Sequence, residues 1–231
     1  MSGYRVSASL VENPHDIEQD WLALQEHADC SYFQSWGWIC NWLKLVAADL
    51  QPQVVRVWLD DALVGLGIFV HRNIRRRYFF TSSAQFLNEY PFDGRNMSIE
   101  YNGVLADPDH AQAVYREIVC YLFEDDATLD EVFLGAVDAG TVPAAVLAGI
   151  SCRHDRPGLQ VLEESFTWAV DLESTGPDID AFLKTLSKNR RAQIRRSLRL
   201  YEEEGPVRVE EATDLAAALE FMDGLEELHT K

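Results

Sequence analysis

Sulfur and metal-ligand spacing are scarce in this chain. Its 231 residues hold four cysteines, Cys30, Cys40, Cys120 and Cys152, far apart and with no C-x-x-C pair. Six histidines form no H-x-x-x-H or H-E-x-x-H array. A structural zinc site and a thioredoxin-like centre therefore have no sequence basis, and no metal is expected. Cys152 with His154 comes nearest to a thiol–imidazole pair, but reduced, partly buried thiols are the simpler reading of all four cysteines. No apolar run reaches the roughly 18 residues of a membrane span, and the N-terminus lacks a signal-peptide core. The expectation is a cytoplasmic protein. There is no G-x-x-x-x-G-K-[ST] loop, no G-x-G-x-x-G and no G-x-S-x-G elbow, which removes the usual support for NTPase, dinucleotide and hydrolase chemistry. Gly65-Leu66-Gly67 lies inside a strand pattern and opens no helix. Basic charge is also short: 20 Lys and Arg stand against 38 Asp and Glu, a net charge of −18. A general nucleic-acid binder needs the opposite balance, so none is expected.

What is present is a globular composition. Hydrophobic residues make up 47% of the chain, and six Trp, eight Tyr and eleven Phe supply large groups to bury. Residues 4–11 alternate like a strand, and Asn13-Pro14-His15-Asp16 opens a helix to about Glu26. A second helix follows Phe33-Gln34-Ser35-Trp36 to about Ala48, with Trp38, Trp42 and Leu45 spaced for one face. Val54–Leu59 and Leu63–His71 form a hairpin about Asp60-Asp61, with a third strand over Arg77–Ser83. Met97–Tyr101 and Val104–Leu105 flank Asn102-Gly103, a pair whose tolerance of positive φ marks a turn. A helix from Asp107 to about Glu124, a strand at Glu131–Ala136, a helix at Val142–Gly149 and strands at Leu159–Glu163 and Phe166–Leu172 follow. Helices at Asp178–Leu186 and Lys188–Glu204 stop at Gly205-Pro206. Val207–Glu211 then reads as a strand and Asp214–Leu228 as a last amphipathic helix. The mixture is α/β or α+β. A boundary falls near Thr175-Gly176-Pro177, giving a first domain over 1–174, a basic helical connector over 175–205 and an incomplete second unit over 206–231.

The connector holds the clearest anomaly. Lys184, Lys188, Arg190, Arg191, Arg195, Arg196 and Arg199 are seven cations with no acidic residue among them. On a helix of about 100° per residue, Lys184, Lys188, Arg191, Arg195 and Arg199 fall within an arc of about 80°. Leu183, Leu186, Ile194, Leu198 and Tyr201 cover the other side. If Ser187 caps a new helix, Lys188, Arg191, Arg195 and Arg199 still stay in register. Guanidinium groups pair with phosphate or carboxylate through two parallel hydrogen bonds, which suits an anionic ligand. A solvated stripe that pairs internally with the acidic remainder accounts for the same charges. Arg72 with Arg75-Arg76-Arg77 reads as a wet turn. Glu100 and Tyr101, a carboxylate and a phenol at a strand end, are candidates for a general base and a ligand contact. The aromatic run Phe86-Leu87-Asn88-Glu89-Tyr90-Pro91-Phe92 walls a pocket or packs a core.

Phe33-Gln34-Ser35-x-x-Trp38, Glu100-Tyr101-Asn102-Gly103, Leu186-Ser187-Lys188-x-Arg190-Arg191-x-x-x-Arg195-Arg196, Gly205 and Glu226-x-Leu228-His229 together resemble the acetyltransferases associated with cellulose biosynthesis (the CelD/BcsL type). That group belongs to the GNAT superfamily and is similar to the FemAB peptidyltransferases in having two GNAT-like halves. The resemblance implies a GNAT-like mixed sheet flanked by helices, then a helical segment and the start of a second GNAT-like unit. It implies N-acyl transfer with acetyl-CoA or another acyl-CoA as co-substrate. The acceptor would be an anionic small molecule or a saccharide, such as a cell-surface polysaccharide or its precursor. Nothing in the motifs fixes the general base; Glu100 is the candidate for it, and Lys188, Arg191, Arg195, Arg199 and Tyr101 are the candidates to hold the acceptor. The sequence departs from the pattern in two ways. Members continue past the Leu-His element into Arg-Trp and a complete second half, and the pyrophosphate loop R/Q-x-x-G-x-G/A is missing here. A non-catalytic module that binds an anionic ligand or partner through the basic helix is the alternative.

Overall fold

A computed structural model of the chain describes residues 3–46, 50–76, 80–92, 95–138, 158–164, 166–168, 170–171, 173, 178–206 and 208–230. Two compact units divide it, residues 1–162 and 163–231. Cys152, His154, the expected helix at 142–149 and the Thr175-Gly176-Pro177 stretch lie outside the described residues.

The first unit is a mixed sheet flanked by helices. Strand β1 (Tyr4–Leu10) pairs antiparallel with β2 (Gln53–Leu59), and β2 with β3 (Ala62–Arg75). Asp60, with φ of 53°, makes the expected turn between them. β3 pairs antiparallel along its later half with β4 (Thr81–Leu87). The third strand therefore runs later than Arg77–Ser83. Its alternation of polar Ser83 and Gln85 with Ala84 and Phe86 hides a buried strand behind small and polar residues. β5 (Glu89–Phe92) and β6 (Arg95–Ser98) form a separate hairpin, and the two-residue β7 (Leu105–Ala106) returns to β3 at Leu66 and Gly65. β8 (Glu131–Phe133) then pairs with β4 in parallel.

Each sheet face has its own helical layer. The 3-10 turn Pro14–Ile17, capped reciprocally by Asn13 and Asp16, leads into α1 (Glu18–Gln25). The second helix, α2 (Trp36–Leu45), buries Trp36, Ile39, Cys40, Trp42 and Leu43. The i, i+3, i+4, i+7 set at Trp36, Ile39, Cys40 and Leu43 is the buried stripe, so the expected face is corrected: Trp38 and Leu45 are exposed. This layer packs on Val54, Leu66, Ile68 and Val70. On the opposite face α3 (Ala111–Asp125) packs on Val55, Val57, Phe69 and Leu87. A Cβ on Gly65 would lie 2.3 Å from Val114 Cγ1, so that glycine lets α3 rest directly on the strand backbone.

The second unit is helical where it is described: α4 (Ile179–Thr185), α5 (Lys188–Glu204) and α6 (Leu215–His229). Asp178, Ser187 and Asp214 cap their amino ends, and Gly205 (φ 151°) ends α5. The described residues of the expected strands 159–163, 166–172 and 207–211 take no strand pairing. Their apolar residues, among them Val161, Phe166, Trp168 and Val209, are exposed, so the alternation there has no sheet to join. Among the described residues no helix is long and apolar enough to cross a membrane.

Candidate functional site

Among the described strands only β4 and β8 pair in parallel, and β5, β6, β7 and α3 lie between them in the chain. Ligands in open α/β sheets bind outside the carboxyl ends of such strands, where the strands part. Here the parting is held by one side chain. Asn102 Nδ2 donates to Leu87 O (2.8 Å), just past β4, and to Gly135 O (3.0 Å), just past β8. Its Oδ1 accepts from Asn88 Nδ2 and from Gly103 N, both at 2.8 Å, and its backbone N–H donates to Ala136 O. Tyr115 Oη, on α3, accepts from Val104 N at 2.8 Å. Burial pushes the Tyr115 phenol up to about 12, so it stays protonated. Asn102-Gly103 is thus no hairpin turn. Asn102 is buried and bridges parallel to Val137, and a Cβ on Gly103 would come within 2.9 Å of Tyr115 Oη and 3.1 Å of Gln34 Nε2. The asparagine gains more from four buried hydrogen bonds than a solvated turn would return.

Next to this clasp lies Glu89. It follows Asn88, whose φ of 47° turns the chain out of β4, and is only 8% exposed. A Cβ on Gly135 would come within 3.1 Å of Glu89 Oε2, so the carboxyl group sits over the loop that leaves β8. It makes no hydrogen bond among the described residues. Burial raises its pKa, and the Arg72 guanidinium partly offsets this. Sequence reading placed Glu89 only within an aromatic run. The available signal was a carboxylate amid Phe86, Leu87, Tyr90 and Phe92, where burial makes a charge costly.

The Arg72 cluster is more ordered than a wet turn. β3 continues through Arg75, Arg72 lies 4.9 Å from the Phe86 ring centroid, and Phe86 stacks on Phe133 at 4.6 Å. Arg76 lies over Phe133 and pairs with Glu131. Cys30, its thiol pushed up by burial and then by Asp29, is no thiolate nucleophile.

Two segments far apart in sequence meet beside the clasp. Ser31 Oγ donates to Tyr101 O at 3.0 Å, and the Phe33 and Tyr101 rings stack 6.1 Å apart. Gln34 and Trp38 of the first segment thereby join Asn102 and Gly103 of the second. Glu100 is exposed on the turn before Tyr101, itself exposed with φ of 47°. Lys188, Arg191, Arg195 and Arg199 lie on α5, in the other unit. Ser187 accepts from Arg190 N and starts α5 afresh, which leaves Lys184 on the preceding helix. Arg195 Nη2 donates to Asp180 Oδ1 at 3.0 Å, and Arg199 Nε to Arg195 O. The expected buried side of α5 is corrected: no residue of α5 is buried, and Leu198 and Tyr201 are exposed.

An acyl-CoA would bring a diphosphate, and the natural seat for one is the amino end of the helix that follows the parallel strand. At α3 that end is approached through Asp107 and Asp109, and its His110 imidazole lies 3.0 Å from Tyr4 Oη. Two carboxylates oppose an anion there. The diphosphate does not fit at α3. Among the described residues no group of three His, Cys, Asp or Glu could hold a metal ion.

No family model and no curated protein matches the chain. Among solved structures it is similar to an aminoglycoside acetyltransferase from an uncultured soil metagenomic sample, crystallised with sisomicin. That pair shares 13% identity over 72% of this chain and 97% of the other, with a TM-score of 0.37. It is similar to the aminoglycoside 6'-N-acetyltransferase AAC(6')-Ih of Acinetobacter baumannii, at 11% identity, 71% and 100% coverage and a TM-score of 0.38. A ribosomal-protein-alanine N-acetyltransferase from Brucella melitensis biovar Abortus 2308 shares 13% identity, with 70% and 99% coverage and a TM-score of 0.33.

Proposed function

We propose that the chain serves an acyl-CoA-dependent N-acyltransferase, with a saccharide of the cell surface or its precursor as acceptor. The observation that carries this reading is Glu89: a buried carboxyl without a hydrogen bond among the described residues, beside the parting ends of the parallel pair. N-acyl transfer needs an amine stripped of its proton, and a carboxylate with a raised pKa is suited to take that proton. Glu89 is proposed as base in preference to Glu100, because Glu89 is buried and Glu100 is exposed. Within the second unit, Lys188, Arg191, Arg195 and Arg199 of α5 are the proposed groups for an anionic ligand, and within the first unit Tyr101 is a proposed acceptor contact. The motifs quoted above support the same class, and no step is assigned to a diphosphate seat.

The test is direct. Acetyl-CoA should bind saturably in isothermal titration, and acetyl transfer to an amine acceptor should fall about a hundredfold in kcat for Glu89→Gln while Glu100→Gln changes it less than twofold. The absence of acetyl-CoA binding ends the transferase reading. Loss in Glu100→Gln alone returns the base to Glu100. The second reading, a non-catalytic module, is favoured by the α5 cations, none of which is buried. It gains if an anionic oligosaccharide binds, Arg191→Ala with Arg195→Ala abolishes that binding, and no acyl transfer occurs.

A further inference from the structure

Four rings gather on the surface of the first unit and take no part in proton transfer. Tyr32, Phe33 and Trp38 come from the start of α2 and the turn before it, and Tyr101 from the loop before the clasp. Phe33 is the hub. It meets Trp38 edge-on at 5.0 Å, Tyr32 edge-on at 5.7 Å and Tyr101 nearly parallel, at 16°. Tyr32 and Trp38 also touch at 5.8 Å. Around this half-buried hub the other three stay open to solvent: Tyr32 is 72%, Tyr101 52% and Trp38 40% exposed. Single exposed rings are ordinary, but a contiguous set drawn from separate segments marks a contact surface.

Tyr101 strengthens the case. A tyrosine at φ 47° is uncommon, and here the side chain stacks on Phe33 while staying half open to solvent. The chain nevertheless fixes it, through Ser31 Oγ on its carbonyl and the Asn102 clasp one residue later. Strain of this kind persists where the side chain's position matters. Charge then narrows the occupant. Glu100 precedes Tyr101, Asp29 lies two residues before Ser31, and both are exposed. Residues 1–162 carry 22 acidic against 11 basic side chains. Nucleobases also stack on rings, yet a polyanion meets an adverse field here. A ring with an apolar C–H face and a positive charge meets a favourable one, because aromatic faces attract ammonium groups.

We infer that the Tyr32–Phe33–Trp38–Tyr101 cluster seats the pyranose ring of a hexosamine whose amine is free and protonated. As a statement about the acceptor this rests on the transferase reading; as a binding site it stands separately. The probes are glucosamine and its short β-linked oligomers, against N-acetylglucosamine and glucuronate, followed by isothermal titration and tryptophan fluorescence. Glucosamine oligomers should saturate the site and perturb Trp emission. The acetylated sugar should bind at least tenfold more weakly, and glucuronate not measurably. Tyr32→Ala, at a position too exposed to unfold the protein, and Trp38→Ala should each weaken binding at least fivefold. Equal affinity for glucosamine and glucuronate, or unchanged affinity in Tyr32→Ala and Trp38→Ala alike, overturns the inference. Transfer is read separately. Glucosamine binding without acetyl transfer leaves this site and removes the transferase reading. Transfer with unchanged KM for hexosamine in both variants removes this site and leaves the transferase.

Discussion

Removing the Asn102 amide should be among the costliest single changes in the first unit. In Asn102→Ala, the Leu87 and Gly135 carbonyls lose their shared donor, Gly103 N–H loses its acceptor, and Asn88 Nδ2 keeps only Gly103 O. A buried polar group left unpaired costs about 1–3 kcal/mol. Water entering the vacated space recovers part of that, so the net loss is roughly 3–5 kcal/mol. In a chain of this size that is a fall in Tm of roughly 6–20 °C. Asn102→Asp is the sharper probe. It is nearly isosteric, but it turns the donating amide into an oxygen facing two carbonyl oxygens. It should destabilise at least as much at neutral pH, and recover partly in acid, where a protonated carboxyl donates to one of them. Urea unfolding of the three proteins, followed by circular dichroism at neutral and acid pH, reads both effects. A loss below about 1 kcal/mol in Asn102→Ala, or an Asn102→Asp profile flat with pH, refutes the clasp.

Gly65→Ala places a methyl group 2.3 Å from Val114 Cγ1 and should cost about 1–3 kcal/mol. Val114→Ala opens that space, so the double variant should lose less than the sum, measured as a coupling energy in the same urea assay. Glu89 gives a pH signature. Its folded pKa lies above the unfolded value, so its favourable contribution is complete below the unfolded carboxylate range and is lost as pH rises through the folded pKa. Glu89→Gln should therefore stabilise the protein at neutral pH and bring no gain in acid, even as it lowers the proposed transfer about a hundredfold. A stability difference that is constant across that range contradicts the burial argument.

Much of the fold was legible because local rules and tertiary packing agree. Asp60-Asp61 turned the hairpin where expected, and Ser187 and Gly205 set the ends of the basic helix. The misreadings share a cause. Asn102-Gly103 has the strongest local turn signal in the chain, and the tertiary structure overrules it, because two strand ends with unpaired carbonyls outbid solvent for the asparagine. Trp38 looks like a core residue by its spacing from Trp42. Its place on the outside follows from Phe33 and Tyr101, 68 residues apart, meeting in space, which no periodicity contains.

The same reasoning separates the two carboxylates. Glu100 was attractive in sequence because it stands alone beside a turn, and in the fold it is exposed there. Glu89 was hidden in the sequence by the aromatic residues beside it, and its burial in the fold is what makes it distinct. Burial raises its pKa, Arg72 limits the rise, and Gly135 leaves room for its carboxyl group without giving it a hydrogen bond. The features that disguise the proposed base in the sequence are thus the ones that set it apart in the fold. In this chain the proposed base is the charged residue inside an aromatic segment, where burial sets it apart from the exposed acids.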